Sequence, residues 1–134
     1  MSLSQDELVA RYHDFSELYE HLANFHEKTS RLCNEILEYG SENIKLVDLR
    51  LSEIFSLYNT ANVYLSVKAD LYHYETSSLL SFWNEMYFQT YMVVRDNDQN
   101  TSWMHERFQN YSHQYENVEE MLKSRLEELK ELIN

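Results

Sequence analysis

The sequence predicts an all-α protein, and three observations carry that expectation. Its 134 residues include no proline and one glycine, Gly40, where average usage would supply roughly 5 % and 7 %. Proline and glycine break helices and make the turns that sheet proteins need, so their near-absence favours a few long helices with short connections. Apolar residues recur every seven positions over long stretches. Only "YGSEN" and "RDNDQNTS" read as clear polar connections. The expected architecture is one domain over 1–134, with three long antiparallel helices in an elongated, coiled-coil-like bundle completed by dimerisation. A fourth helix appears if the middle one breaks near 75–78.

The first helix is expected over about 6–39. Leu8, Phe15, Leu22, Thr29 and Ile36 form one row, and Leu18, Phe25, Leu32 and Tyr39 a second, with Arg11 the exception. Tyr12, Tyr19 and Cys33 widen the stripe beyond a two-stranded seam. Gly40 suits the left-handed position after the helix, and Ser41 can cap the next one.

The second helix is expected over about 42–95. Ile44, Leu51, Tyr58, Leu65, Tyr72, Leu79, Met86 and Val93 keep one register. The companion row opens with Val47, Ile54 and Ala61, turns polar at Lys68 and Glu75, recovers at Phe82 and fails again at Gln89. "ETSS", Glu75–Ser78, is the weak point, since such residues prefer caps to helix interiors. Because the register passes through it, the helix is read as continuous. The third helix, about 102–133, interleaves Phe108, Tyr115, Leu122 and Leu129 with Met104, Tyr111, Val118 and Leu132, and Arg125 intrudes.

These lengths leave apolar surface over. The outer helices would measure roughly 50 Å and the middle one about 80 Å. Each half of the middle helix then has a single partner within the chain, except near Tyr64, Leu65, Leu71 and Tyr72. Over Ser78–Val94 the apolar arc spans about half the helix circumference. Seventeen residues reach about 25 Å, short of a membrane core of about 30 Å, and Ser78, Ser81, Glu85 and Gln89 form a polar stripe along them. A second copy is the expected cover. The interface residues are then Leu80, Phe82, Trp83, Met86, Tyr87, Tyr91 and Val94, joined by Tyr64 and Tyr72 from the overlap. If "ETSS" does break the helix, the same aromatics become the core of a four-helix monomer. Tyrosine packs its ring and keeps its hydroxyl wet, so the eleven tyrosines fit half-buried interfaces or the rim of a wide core.

Chemistry-bearing patterns are weak. His13, Glu17 and His21 stand at i, i+4, i+8 but at outer heptad positions, and Asp70-x-x-His73 is a lone pair. A di-iron bundle would need two Glu-x-x-His motifs, and the chain has none. His105 and His113 flank one helix face at the rim. The Lys-Gly pair that follows the phosphorylated histidine of phosphotransfer domains is missing after His21 and His26. No phosphate loop, HExxH motif or activated nucleophile is present. No enzyme activity, cofactor or metal is expected.

The net charge is −12. Such a field repels nucleic acid and anionic membranes, so the expected partners are a second copy and other proteins. Residues 1–40 carry −5, 41–98 carry −4 and 99–134 carry −3, an evenly spread and solvated acidity. A single cysteine, and an N-terminus without a basic segment and apolar run, imply a cytoplasmic protein. The functional expectation is a dimeric structural or adaptor protein. The alternatives are a small acidic inhibitor that imitates DNA, of the kind phages and mobile elements use, and an assembly chaperone.

Overall fold

The structure, a computed structural model, describes residues 3–39, 44–68, 71, 74–96 and 103–133. Among the described residues there are four α-helices and no strand: α1 (Gln5–Tyr39), α2 (Ile44–Val67), α3 (Tyr74–Asp96) and α4 (Trp103–Ile133). No helix is long and apolar enough to cross a membrane. Gly40, Ser41 and most of "RDNDQNTS" lie outside the described residues.

Ser4 starts α1. Its hydroxyl accepts from the Glu7 backbone N–H at 3.2 Å, an N-cap, and donates to the Glu7 carboxylate at 3.0 Å, which ties down the first turn. Asp6 and Glu7 add negative charge at the positive end of the helix dipole.

The continuous middle helix is corrected. It ends at Val67 and restarts at Tyr74, ahead of "ETSS" rather than within it. Lys68 keeps a helical bond to the Tyr64 carbonyl at 2.9 Å, and the Leu71 N–H donates to the Lys68 carbonyl at 2.9 Å, a tighter 3₁₀-like turn. Two anchors hold this point to α1: the Tyr64 hydroxyl donates to the Asp14 carbonyl at 3.2 Å, and Lys68 Nζ lies 3.5 Å from the Asp14 carboxylate. Leu71 is buried. Burying each large side chain of α3 stabilises by about 1.5–3 kcal/mol. Breaking one helix forfeits a few backbone bonds, each about 0.5–1.5 kcal/mol net. Folding back wins.

The helices run up, down, up, down. Arg50–Glu35 at 3.1 Å and Lys28–Glu53 at 2.9 Å set α2 antiparallel to α1. The Phe55–Tyr87 and Tyr58–Trp83 ring pairs do the same for α2 and α3. Arg107–Glu85 joins α4 to α3 at 3.9 Å, and Tyr19–Glu119 joins α1 to α4 at 3.3 Å. Each helix packs on two neighbours, and α1 against α4 closes the ring. Leu18, Leu22 and Phe25 of α1 meet Ile54 and Ala61 of α2, Leu79 and Trp83 of α3, and Met104 and Leu122 of α4 in one core.

At 35 and 31 residues, α1 and α4 outreach α2 and α3, at 24 and 23. Their free ends project as a two-helix pair, where the Gln5 amide donates to the Ile133 carbonyl. Arg125, the intruder in its row, lies 5.9 Å over the Phe15 ring and pairs with Glu128 at 3.0 Å.

Candidate docking surface

A polar chain through the core fixes how the helices register. The indole N–H of Trp83, 1 % exposed, donates to the Thr29 hydroxyl at 2.9 Å. Thr29 also stands beside the Tyr111 hydroxyl, which meets His26 Nδ1 at 3.1 Å. His26 stacks on Tyr115, ring centroids 3.6 Å apart and planes 7° from parallel. Burial drives its pKa down to about 4, against the opposing pull of Glu119. The imidazole is neutral near pH 7, which suits a packing group.

Aromatic rings continue from this core to the surface. Trp83 stacks on Tyr58 at 4.5 Å and on Tyr87 at 5.3 Å, and Tyr87 stacks on Phe55 at 5.0 Å. Phe55 and Tyr91 are exposed, and Phe88 is 60 % exposed. On the helical wheel of α3, Tyr87, Tyr91 and Phe88 follow one another outward from the α2 side. The seam between α2 and α3 therefore opens as an aromatic strip.

Beside it, the outer face of α2 carries Leu49, Val63 and Val67, exposed by 66 %, 53 % and 73 %. From Ile54 to Val67 there is no acid, base or histidine. Ser52, Thr60 and Ser66 donate their hydroxyls to the carbonyls four residues back, at 3.2, 3.0 and 3.0 Å. These donors are satisfied without water, so covering the face leaves none of the three orphaned. From Thr76 to Val94, α3 holds one charge, Glu85. The acids instead crowd α1 and α4.

The expected interface residues are divided. Leu80, Trp83 and Met86 are buried by the chain's own helices, so for these three the second cover is intramolecular. Phe82 and Tyr87 are half-buried, and Tyr91 is exposed. Tyr64 faces α1, and its hydroxyl also donates to Glu17 at 3.2 Å. Burial and the carboxylates of Asp14 and Glu17 raise its pKa. Tyr72 and the side chain of Val94 lie outside the described residues. Phe55, Leu49, Val63 and Val67 were not singled out from sequence, although the uncharged run that holds them is visible there.

Elsewhere the surface is chemically plain. Among the described residues no three His, Cys, Asp or Glu side chains converge to hold a metal ion. His21 sits 3.7 Å from Glu17 and His113 3.9 Å from Glu116. Asp70, His73 and the His105 side chain lie outside the described residues. A hollow of about 440 Å³ between α3 and α4 is lined by Tyr74, Glu75, Ser78, Gln114, Asn117 and Val118. Cys33 is buried, and burial pushes its thiol up to about 12, so the thiolate that reacts is scarce. No family model, curated protein or solved structure matches the chain.

Proposed function

We propose that the protein is a non-enzymatic, cytoplasmic interaction module: a dimeric helical adaptor that docks other proteins through the α2–α3 face. One observation carries this reading. On a chain of net charge −12, one face bears exposed aromatic and aliphatic side chains and almost no charge. Contiguous exposed apolar surface of this kind marks interaction sites. Tyrosine and phenylalanine at its rim suit contacts that are apolar on one side and wet on the other. The acids of the opposite face are interleaved with bases, as in Lys123–Glu119 at 3.4 Å and Arg31–Glu27 at 3.3 Å. That dilution does not favour imitation of a duplex, whose charge is dense and of one sign.

Light scattering of the full chain should give twice its 16.3 kDa mass. Replacing Phe55, Phe88 and Tyr91 together by serine should leave helicity intact and abolish binding to a purified partner first captured with the wild-type chain. A monomer that binds no protein would reject the reading.

A further inference from the structure

The docking face has two parts, the aromatic seam and the outer row of α2, and the second has its own occupant. Resting on the adaptor reading, we infer that the outer face of α2 packs antiparallel against the same face of a second copy, with Leu49 opposite Val67 of that copy and Ser56 opposite Thr60.

Charge selects the occupant. A partner chosen by ion pairing needs charges to meet, and residues 54–67 offer none. A second copy brings an equally neutral stretch of equal length, and the acids nearest to it on α1 and α2, Asp14, Glu35 and Glu53, are each paired with a base. Two copies at −12 each can approach closely only through such a face. Size agrees. The chain exposes 8364 Å², against about 7500 Å² for a compact monomer of this mass. The α1–α4 overhang accounts for some of the difference, and a standard interface removes about 800 Å² per partner.

Charge also selects the direction. Parallel packing would stack Asp48 on Asp48 and Glu53 on Glu53. Antiparallel packing sets Asp48 level with Lys68 and Glu53, which Lys28 of α1 holds at 2.9 Å, level with Val63, so no like charges meet. On the outer face Leu49, Ser56 and Val63 form one seven-residue row, and Glu53, Thr60 and Val67 the other. Facing rows of an antiparallel pair meet about a two-fold level with Tyr58. Small Ser56 and Thr60 at the centre let the backbones approach, and Leu49 and Val67 close both ends. This two-fold, perpendicular to α2, leaves α3 of both copies on the same side. The two aromatic seams then adjoin, and the docking surface for other proteins is complete only in the dimer.

The test uses full-length Leu49→Cys and Val67→Cys chains and a short bismaleimide. Buried Cys33 should not react, and the wild-type chain is the control. Mixing the two variants should give a cross-linked dimer, while neither should cross-link alone, since like positions stand about 27 Å apart. Val63→Glu should stay helical and weaken association at least tenfold. A wild-type dimer in which Leu49→Cys cross-links to itself, or in which the mixture does not react, would overturn the α2 geometry and leave the adaptor reading standing. A wild-type monomer would remove both.

Discussion

Thr29 occupies a heptad position where an aliphatic residue would pack equally well, and the structure explains the hydroxyl. It accepts from the indole N–H of Trp83 at 2.9 Å, so it satisfies a buried donor from another helix. Thr29→Val keeps the volume and orphans the indole N–H, and should lower stability by about 1–3 kcal/mol in urea unfolding. In a Trp83→Phe background the same change should cost clearly less, because the two side chains act as a unit. His26 adds a pH dependence whose sign is fixed. Its folded pKa lies near 4 and its ordinary value is 6.5, so the unfolded chain binds the proton more readily. Stability is full above about pH 6.5 and falls as pH drops toward 4. The loss would reach about 3 kcal/mol for an enclosed ring, and about 1–2 kcal/mol for one that still meets solvent. His26→Gln should flatten the urea midpoint between these pH values relative to wild type. None of this network was legible in the sequence. Thr29 read as a seam residue and His26 as a failed phosphotransfer site, because their partners lie 54 and 85 residues away along the chain.

The helices themselves were legible from periodicity alone, since rows such as Leu18–Phe25–Leu32 and Tyr115–Leu122–Leu129 are buried where the seven-residue repeat places them. The hairpin between α2 and α3 was not. Leu65 and Leu79 keep seven-residue phase across the connection, although they belong to separate helices. The signal that the phase misled was the companion row, polar at Lys68 and Glu75. Lys68 ends the run because Asp14 of α1 holds it there, a tertiary contact that no local pattern encodes. The interface residues named from sequence divided for the same reason: once α3 folds back, Leu80, Trp83 and Met86 turn inward, Tyr91 stays exposed, and Phe88, which strays from the apolar stripe, is exposed beside it. The hairpin makes a contrast on α3 measurable. Leu79→Ala should cost about 2–5 kcal/mol, the range for a filled core site. Phe88→Ala, about two and a half turns away and open to solvent, should stay within about 0.5 kcal/mol. Equal effects in urea denaturation would mean that α3 is not enclosed by its own chain.

At the scale of the molecule, the net charge is spread over the chain but the acids are not, since α1 and α4 hold eight and seven and α2 and α3 two and three. The cut at 41–98 averaged the charged start of α2 and the acidic turns with two nearly neutral stretches, and so hid the one face on which apolar contact is cheap. That segregation dictates a salt response. An assembly held by ion pairs weakens as salt rises, because counterions compete for each charge. Two copies of this chain repel through acids carried mostly on α1 and α4, and the contact itself contains few charges, Glu53 among them, to screen. Raising salt from about 20 to about 200 mM shortens the screening length from roughly 20 Å to below 10 Å, which removes repulsion between the far faces and leaves the apolar attraction in place. Sedimentation equilibrium should therefore show a dimer that is unchanged or several-fold tighter at the higher salt. Val63→Glu should keep the sign of that response at lower affinity, since it adds like charge to a neutral seam. A dimer that falls apart with added salt would place charged side chains, and not the outer row of α2, at the contact.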